Sequence, residues 1–318
     1  MAEYTFRVFN RDLRGALPPE TRRQLLERPC VQVDASLSGT AGLYRPSEAL
    51  ENAMNTALAV GEPLLLTGEA GTGKTQAAYY AALQLDVKLF PFQVKSNSVA
   101  GDLLYHFDTV RYFHDAHFAQ QQAAPSGAPL DKRKYIEKRP LWQAFDWAQD
   151  QGYPAVLLID EIDKAPRDFP NDLLHELDQM SIPVRETGET HCCPRELRPV
   201  VFITSNDERR LPPAFLRRCV SHHIRLTDDL LWEAIDSHRE LYPQLNPEFL
   251  KLAVECFWNI RHQVKEKLPA TGELLVWLQV LATDKGCRPD VLKTELSRLP
   301  HLGALIKQPE DLETLRRE

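Results

Sequence analysis

The chain has 318 residues, 43% of them hydrophobic and 26% charged, with a formal net charge of −7. That length allows two domains of ordinary size or one large domain with an appendage, and the composition excludes a disordered chain. The acidic balance gives no general pull toward nucleic acid or an anionic membrane surface.

The first fifteen residues, MAEYTFRVFNRDLRG, interrupt their apolar pattern with Arg7, Arg11 and Arg14, which does not fit a signal peptide. The longest apolar runs, around 64–66 and 155–159, fall far short of a bilayer's thickness, so no membrane span is expected. Six cysteines at 30, 192, 193, 219, 256 and 287 form no C-x-x-C pair, and reduced thiols in a cytoplasmic protein are the expectation. His191 beside Cys192 and Cys193 has no further ligand nominated by the sequence, so a polar loop is expected there rather than a metal site.

In chain order, residues 1–45 read as an N-terminal extension. It holds a short alternating stretch (Tyr4, Phe6, Val8), a stop at Pro18-Pro19 and a brief helix near Glu20–Glu27. Pro46 opens a helix whose apolar residues Leu50, Ala53, Met54, Ala57 and Leu58 share one face, and Gly61 ends it. Five short apolar runs follow, separated by helical patterns: Pro63–Thr67, Lys88–Val94, Ala155–Ile159, Val200–Ser205 and His222–Leu226. Runs of that length between helices predict an open, mostly parallel sheet covered on both faces, an α/β fold.

Residues 120–138 break the rhythm and read as a mobile surface loop or insertion. Between Asp168 and Met180, Leu173, Leu174 and Leu177 share a helical face, for which core packing is expected, with a pore lining as the alternative. After Thr227 the strand signals stop. Helices are expected over 228–242, 247–265 and 272–284, with a polar tail beyond Pro300. The domain division predicted is 46–226 for the sheet domain, 227–300 for a small all-α piece and 301–318 for a tail.

The segment Gly68-Glu69-Ala70-Gly71-Thr72-Gly73-Lys74-Thr75 matches G-x-x-x-x-G-K-[ST] in full. Leu64–Leu66 supply the preceding strand, and Gln76 to Leu85 supply an alanine-rich helix. The glycines let backbone N–H groups turn inward toward phosphate oxygens, and the helix N-terminus adds its partial positive charge. In such a seat Lys74 reaches the β- and γ-phosphates of ATP, while the Thr75 hydroxyl ligates Mg2+.

Val156-Leu157-Leu158-Ile159-Asp160-Glu161 is a buried strand that ends in two acids, at the sheet end where ligands collect. Asp160 is suited to holding Mg2+ through its hydration shell, and Glu161 to polarising the attacking water as a general base. The next strand ends in Thr204, Ser205 and Asn206, whose amide is placed to orient that water or contact the γ-phosphate. Further on, Arg217 and Arg218 follow a short helix and are candidates for stabilising phosphoryl transfer from a neighbouring subunit.

Together these stretches resemble an AAA+ ATPase over roughly residues 46 to 285. GEPLLLTGEAGTGKT, LLIDEIDKAP, FITSNDERRLPPAFLRRC and LPATGELLVWLQVL resemble the MoxR-like branch most closely. The resemblance implies a P-loop NTPase domain with a five-stranded parallel sheet flanked by helices, then a small helical lid. It implies assembly as a ring, usually a hexamer, with ATP held between subunits. It also assigns Lys74 and Thr75 to Walker A, Asp160 and Glu161 to Walker B, Asn206 to sensor 1, and Arg218 to the arginine finger with Arg217 as substitute or helper.

One departure stands out: the sensor 2 arginine position holds Gly272. MoxR-like proteins resemble chaperones that act on or with von Willebrand factor A domain proteins, while some members resemble parts of defence systems. The expected activity is therefore ATP-driven remodelling of a protein partner. A nucleic-acid motor, supported locally by Lys132-Arg133-Lys134-Tyr135, and a nucleotide-gated scaffold with little turnover are the alternatives.

Overall fold

Short runs of Leu, Val, Ile and Phe bury best as strands covered on both faces, and five such runs assemble into one sheet. The computed structural model describes residues 37–121, 130–283 and 288–317. The expected strand and helix of the N-terminal extension, with Cys30 and Cys287, lie outside the described residues. The described residues form two compact units: residues 46–68 with 74–224, and residues 37–45 with 69–73 and 225–317.

The first unit contains nine strands: β1 (Leu64–Thr67), β2 (Leu89–Gln93), β3 (Tyr105–Phe107), β4 (Ile136–Lys138), β5 (Val156–Asp160), β6 (Ser181–Val184), β7 (Glu189–Cys192), β8 (Val200–Ser205) and β9 (Val220–His223). Five of them form a wholly parallel sheet in the order β2-β5-β8-β1-β9. All five residues of β5 are buried, as its place inside the sheet requires. Pro91 lacks a backbone donor, and it is tolerated in β2 because that strand is an edge with one neighbour.

The helices of this unit are α1 (Glu48–Val60), α2 (Lys74–Leu85), α3 (Thr109–Gln121), α4 (Pro140–Gln151), α5 (Phe169–Gln179) and the single turn α6 (Pro213–Leu216). Helix α1 begins where the Ser47 hydroxyl accepts from the Leu50 N–H, and it stops at Gly61, whose φ of 73° suits glycine. Leu173, Leu174 and Leu177 are buried among Leu157, Ile203 and Phe215, which settles them as core. The parallel sheet thus brings the ends of β1, β2, β5 and β8 to one edge, where polar residues gather.

Four readings need correction. The last strand is Val220–His223, two residues earlier than the apolar run His222–Leu226 suggested. Pairing with β1 from Leu64↔Val220 to Thr67↔His223 fixes it, and an edge strand with one neighbour tolerates the half-polar Val-Ser-His-His. The supposed loop 120–138 is ordered wherever it is described: a short helical turn, Lys132–Tyr135, leads into β4, which pairs antiparallel with β3. Its anchor is Tyr135, 6% exposed, whose hydroxyl donates to Asp115 at 2.8 Å. One aromatic in a single turn before a three-residue strand leaves no periodicity to read.

The third correction is the β6–β7 hairpin, which the sequence reading passed over. Pro183 sits inside β6 and disguised it, while Gly188 at φ 73° closes the turn. Where a polar loop was expected, His191 lies on β7, its ring 4.4 Å from that of Trp142. Cys193 is buried, and burial pushes its thiol up to about 11, so it behaves as a small apolar side chain.

The second unit holds α7 (Asp228–Ser237), α8 (Pro247–Gln263), α9 (Thr271–Thr283) and α10 (Pro309–Arg317). Tyr242, Phe249, Phe257, Leu274 and Trp277 fill its own core. Residues beyond Pro300 are therefore not a plain polar tail, since α10 buries Leu315 and Asp311. Asp311 is 1% exposed and accepts the backbone N–H groups of Lys265, Glu266 and Lys267 at 2.9–3.0 Å.

Desolvation alone pushes the Asp311 carboxyl upward, but the three N–H donors more than offset it and hold the pKa below the ordinary value. A carboxyl depressed in the folded state stabilises it above its unfolded pKa of about 4, and the benefit is lost as pH falls through the folded value. Asp311→Ala should therefore cost roughly 2–3 kcal/mol at neutral pH by leaving charge-assisted bonds unmade. Chemical denaturation at pH 7 and pH 3 should show a smaller gap between variant and wild type at the lower pH.

Candidate active site

The chain leaves β1 through Gly68, whose φ of 138° is closed to other residues. A Cβ there would lie 2.3 Å from the Ile224 carbonyl oxygen, so glycine is required twice over. Within the loop, the Thr72 hydroxyl donates to the Glu69 carbonyl at 2.9 Å and Thr72 is only 2% exposed. A Cβ on Gly73 would lie 2.8 Å from the Tyr44 ring. Gly71 is the exposed middle of the turn, with Ala70 beside it, and Gln76 follows in α2.

Lys74 opens α2 and is 5% exposed, with its ammonium donating to the Gly68 carbonyl at 2.8 Å. Burial lowers its pKa, and Asp163, Asp160, Asp207 and Glu161 oppose that by favouring the charged form. A nearly buried ammonium facing four carboxylates is a concentrated charge centre rather than a surface lysine. The next residue, Thr75, donates its hydroxyl to the Asp160 carboxylate at 2.8 Å.

The β5 terminus carries the acids, and a threonine on the neighbouring strand ties them together. Thr204 donates its hydroxyl to Asp160 at 2.6 Å and accepts the Glu161 N–H at 2.8 Å. Glu161 adopts φ 59° and ψ 53°, a left-handed conformation that is costly outside glycine and clusters at functional sites. That turn directs its carboxylate to three donors: Gln93 and Lys164, each at 2.6 Å, and the Asn206 amide at 3.3 Å. Asn206 is positioned in turn by Asp163, which is 3% exposed and accepts the Asn206 N–H at 3.1 Å.

The structure thus brings Lys74, Thr75, Asp160, Glu161 and Asn206 into one connected polar cluster. It does not bring Arg217 or Arg218 there. Both are exposed beyond α6, and Arg218 pairs with Asp178 at 2.6 Å.

Sequence reasoning gave no role to Gln93, Lys164 and Thr204. Gln93 was within reach, because the register places it beside Asp160 at the carboxyl end of β2. Lys164 stands three residues after Glu161, a spacing that lets the two meet across one turn. An all-oxygen pair of hydroxyl and carboxylate, Thr75 and Asp160, fits a hard cation such as Mg2+.

Residues 63–219 match the profile of the AAA domain (dynein-related subfamily). No curated protein matches the chain. Among solved structures, a candidate ATPase from Cytophaga hutchinsonii is similar at 13% identity and a TM-score of 0.41, over 93% of this chain and 94% of that one. A likeness at that level carries no functional argument. The parallel sheet flanked by helices, the complete phosphate loop and the matched segment give residues 63–219 the AAA P-loop NTPase fold.

Proposed function

We propose that the chain is a Mg2+-dependent ATPase that works as a ring and uses hydrolysis to remodel a protein partner. The observation that carries this reading is the single cluster in which Lys74, the Thr75–Asp160 pair, Glu161 and Asn206 meet. Lys74 and the loop N–H groups bind the triphosphate. Glu161 holds a water against the terminal phosphoryl group and accepts its proton, and Asn206 orients that water. Thr75 and Asp160 would hold Mg2+, which on binding spreads the negative charge of the phosphate oxygens.

Arg218 supports the ring part of the reading. Its exposure away from the cluster fits a finger that completes a neighbour's site, with Arg217 as its helper. The four stretches that resemble the MoxR-like branch favour a von Willebrand factor A domain protein as the partner, in the cytoplasm. No described helix is long and apolar enough to cross a membrane. Against the nucleic-acid alternative, Arg133 is engaged by Glu189 and Lys132 lies 6.0 Å from the Tyr112 ring.

The test is subunit mixing. Arg218→Ala and Glu161→Gln proteins should each be nearly inactive, and mixtures should regain a fraction of wild-type phosphate release. Light scattering should give a species several-fold heavier than one chain with ATP present. No recovery at any ratio, or a monomer at every concentration, would remove the ring from the proposal.

A further inference from the structure

Residues 132–139, KRKYIEKR, hold five cations and one acid in a chain whose net charge is −7. The nucleotide cluster uses none of them. They form the turn before β4, β4 itself and the N-cap of α4. Strand β4, paired with β3, walls one side of a cavity of about 650 Å³. The β6–β7 hairpin walls the other side, and α4 supplies the floor through Trp142.

Arg133, Ile136, Lys138, Trp142, Glu189 and His191 decide what the cavity can hold. Trp142 is buried, and its ring meets the His191 ring at 4.4 Å and the Lys138 ammonium at 5.2 Å. The two walls are braced, since the Tyr105 hydroxyl donates to Glu186 at 2.9 Å and accepts the Arg185 N–H at 3.2 Å. The cations, by contrast, have only exposed partners. Arg133 donates through two guanidinium nitrogens to Glu189, and these side chains are 66% and 39% exposed. Lys138 meets the equally exposed Asp146 at 2.6 Å. Ion pairs open to water contribute little, so an incoming acid replaces either carboxylate at small cost.

We infer that an acidic segment of the protein partner docks in this cavity. Arg133 and Lys138 take its carboxylates, and an apolar or aromatic side chain of the segment seats against Ile136 and the His191 ring, which Trp142 backs. This rests on the reading of the chain as acting on a protein partner. The Arg133–Glu189 contact already displays the recognition: a planar fork holds a carboxylate through two donors, as it would an aspartate or glutamate of another chain. A nucleic acid fits less well. Glu137, Glu186 and Glu189 stand among the cations, and a continuous run of phosphates would be repelled by each of them. A peptide can space its acids between them.

The test uses the full chain with fluorescein-labelled probes: a short peptide alternating Glu and Tyr, the same peptide with Gln for Glu, and a mixed-sequence single-stranded oligonucleotide. Anisotropy should show the acidic peptide binding, and its Gln counterpart binding at least about 10-fold more weakly. Arg133→Gln combined with Lys138→Gln should weaken the acidic peptide about 10-fold. Glu189→Gln should tighten it about 3-fold, by removing the resident carboxylate. Phosphate release without peptide should stay at the wild-type rate in these variants, because none of the three residues belongs to the nucleotide cluster.

Opposite signs at positions 133 and 189 are the decisive feature. A pair that only braces the hairpins predicts the same direction for both substitutions, with matching losses in melting temperature, and that result overturns the inference. So does equal binding of the acidic and Gln peptides, or tighter binding of the oligonucleotide than of the acidic peptide. Phosphate release by wild type, recorded in the same samples, judges the ATPase reading separately, so failure of one is distinguishable from failure of the other.

Discussion

Glu161→Gln is expected to bind ATP and to hydrolyse it about 10²- to 10⁴-fold more slowly than wild type. That range corresponds to about 3–5 kcal/mol of barrier, the contribution ordinary for a positioned base. The substitution keeps the shape of the side chain and removes its capacity to take a proton. The Asn206 amide donates to the Glu161 carboxylate at 3.3 Å, and that contact can persist with an amide oxygen. The Lys164 pair at 2.6 Å loses its charge component, but it is partly solvated and contributes little to stability. Phosphate release should therefore collapse while nucleotide affinity and melting temperature stay near wild type. Equal rates in the two proteins would refute the assignment of the base.

Lys74→Met should lower ATP affinity by at least about 100-fold, because it removes the charge-assisted bonds that a buried ammonium makes to phosphate. Methionine is chosen because it fills a similar volume. The variant also leaves Asp160, Asp163 and Asp207 without their shared cation, so some loss of stability accompanies the loss of binding. A melting curve taken without nucleotide separates the two effects. A melting transition still present in the absence of ligand, with no shift on adding ATP, is the expected result.

The lowered pKa of Lys74 adds a pH signature. Its ammonium deprotonates below the ordinary lysine value of 10.5, so affinity should fall on the alkaline side earlier than an exposed lysine would allow. Titrating wild-type affinity upward from pH 7 checks this sign.

How much of this was legible in the sequence follows from the length of the pattern each part left behind. The phosphate loop was fully legible, because eight consecutive residues carry it, flanked by a strand and a helix. The β5 acids were legible because a wholly buried strand ends abruptly in charge. Asn206 was placed by the same logic of strand ends. The network that holds these groups was not legible. Thr204 bridges Asp160 and Glu161 across two strands that are 40 residues apart in sequence, and only the sheet register joins them.

The same holds for the fold. Strands with neighbours on both sides must be apolar, and they were found in place. The edge strand β9 and the two small hairpins need only one partner each, so their mixed composition misdirected the reading. Glu69 accepts from the Arg261 guanidinium, and this pair is the extreme case: its residues stand 192 positions apart, and no local pattern could join them.

The central claim is that one triphosphate is served by Lys74, Glu161 and Asn206 together. A crystal structure of Glu161→Gln with ATP and Mg2+, in the assembled state, tests it most directly. The account predicts the terminal phosphoryl group within hydrogen-bond reach of the Lys74 ammonium and facing the side chains at 161 and 206. A terminal phosphoryl group bound away from Lys74, or facing away from positions 161 and 206, would contradict it.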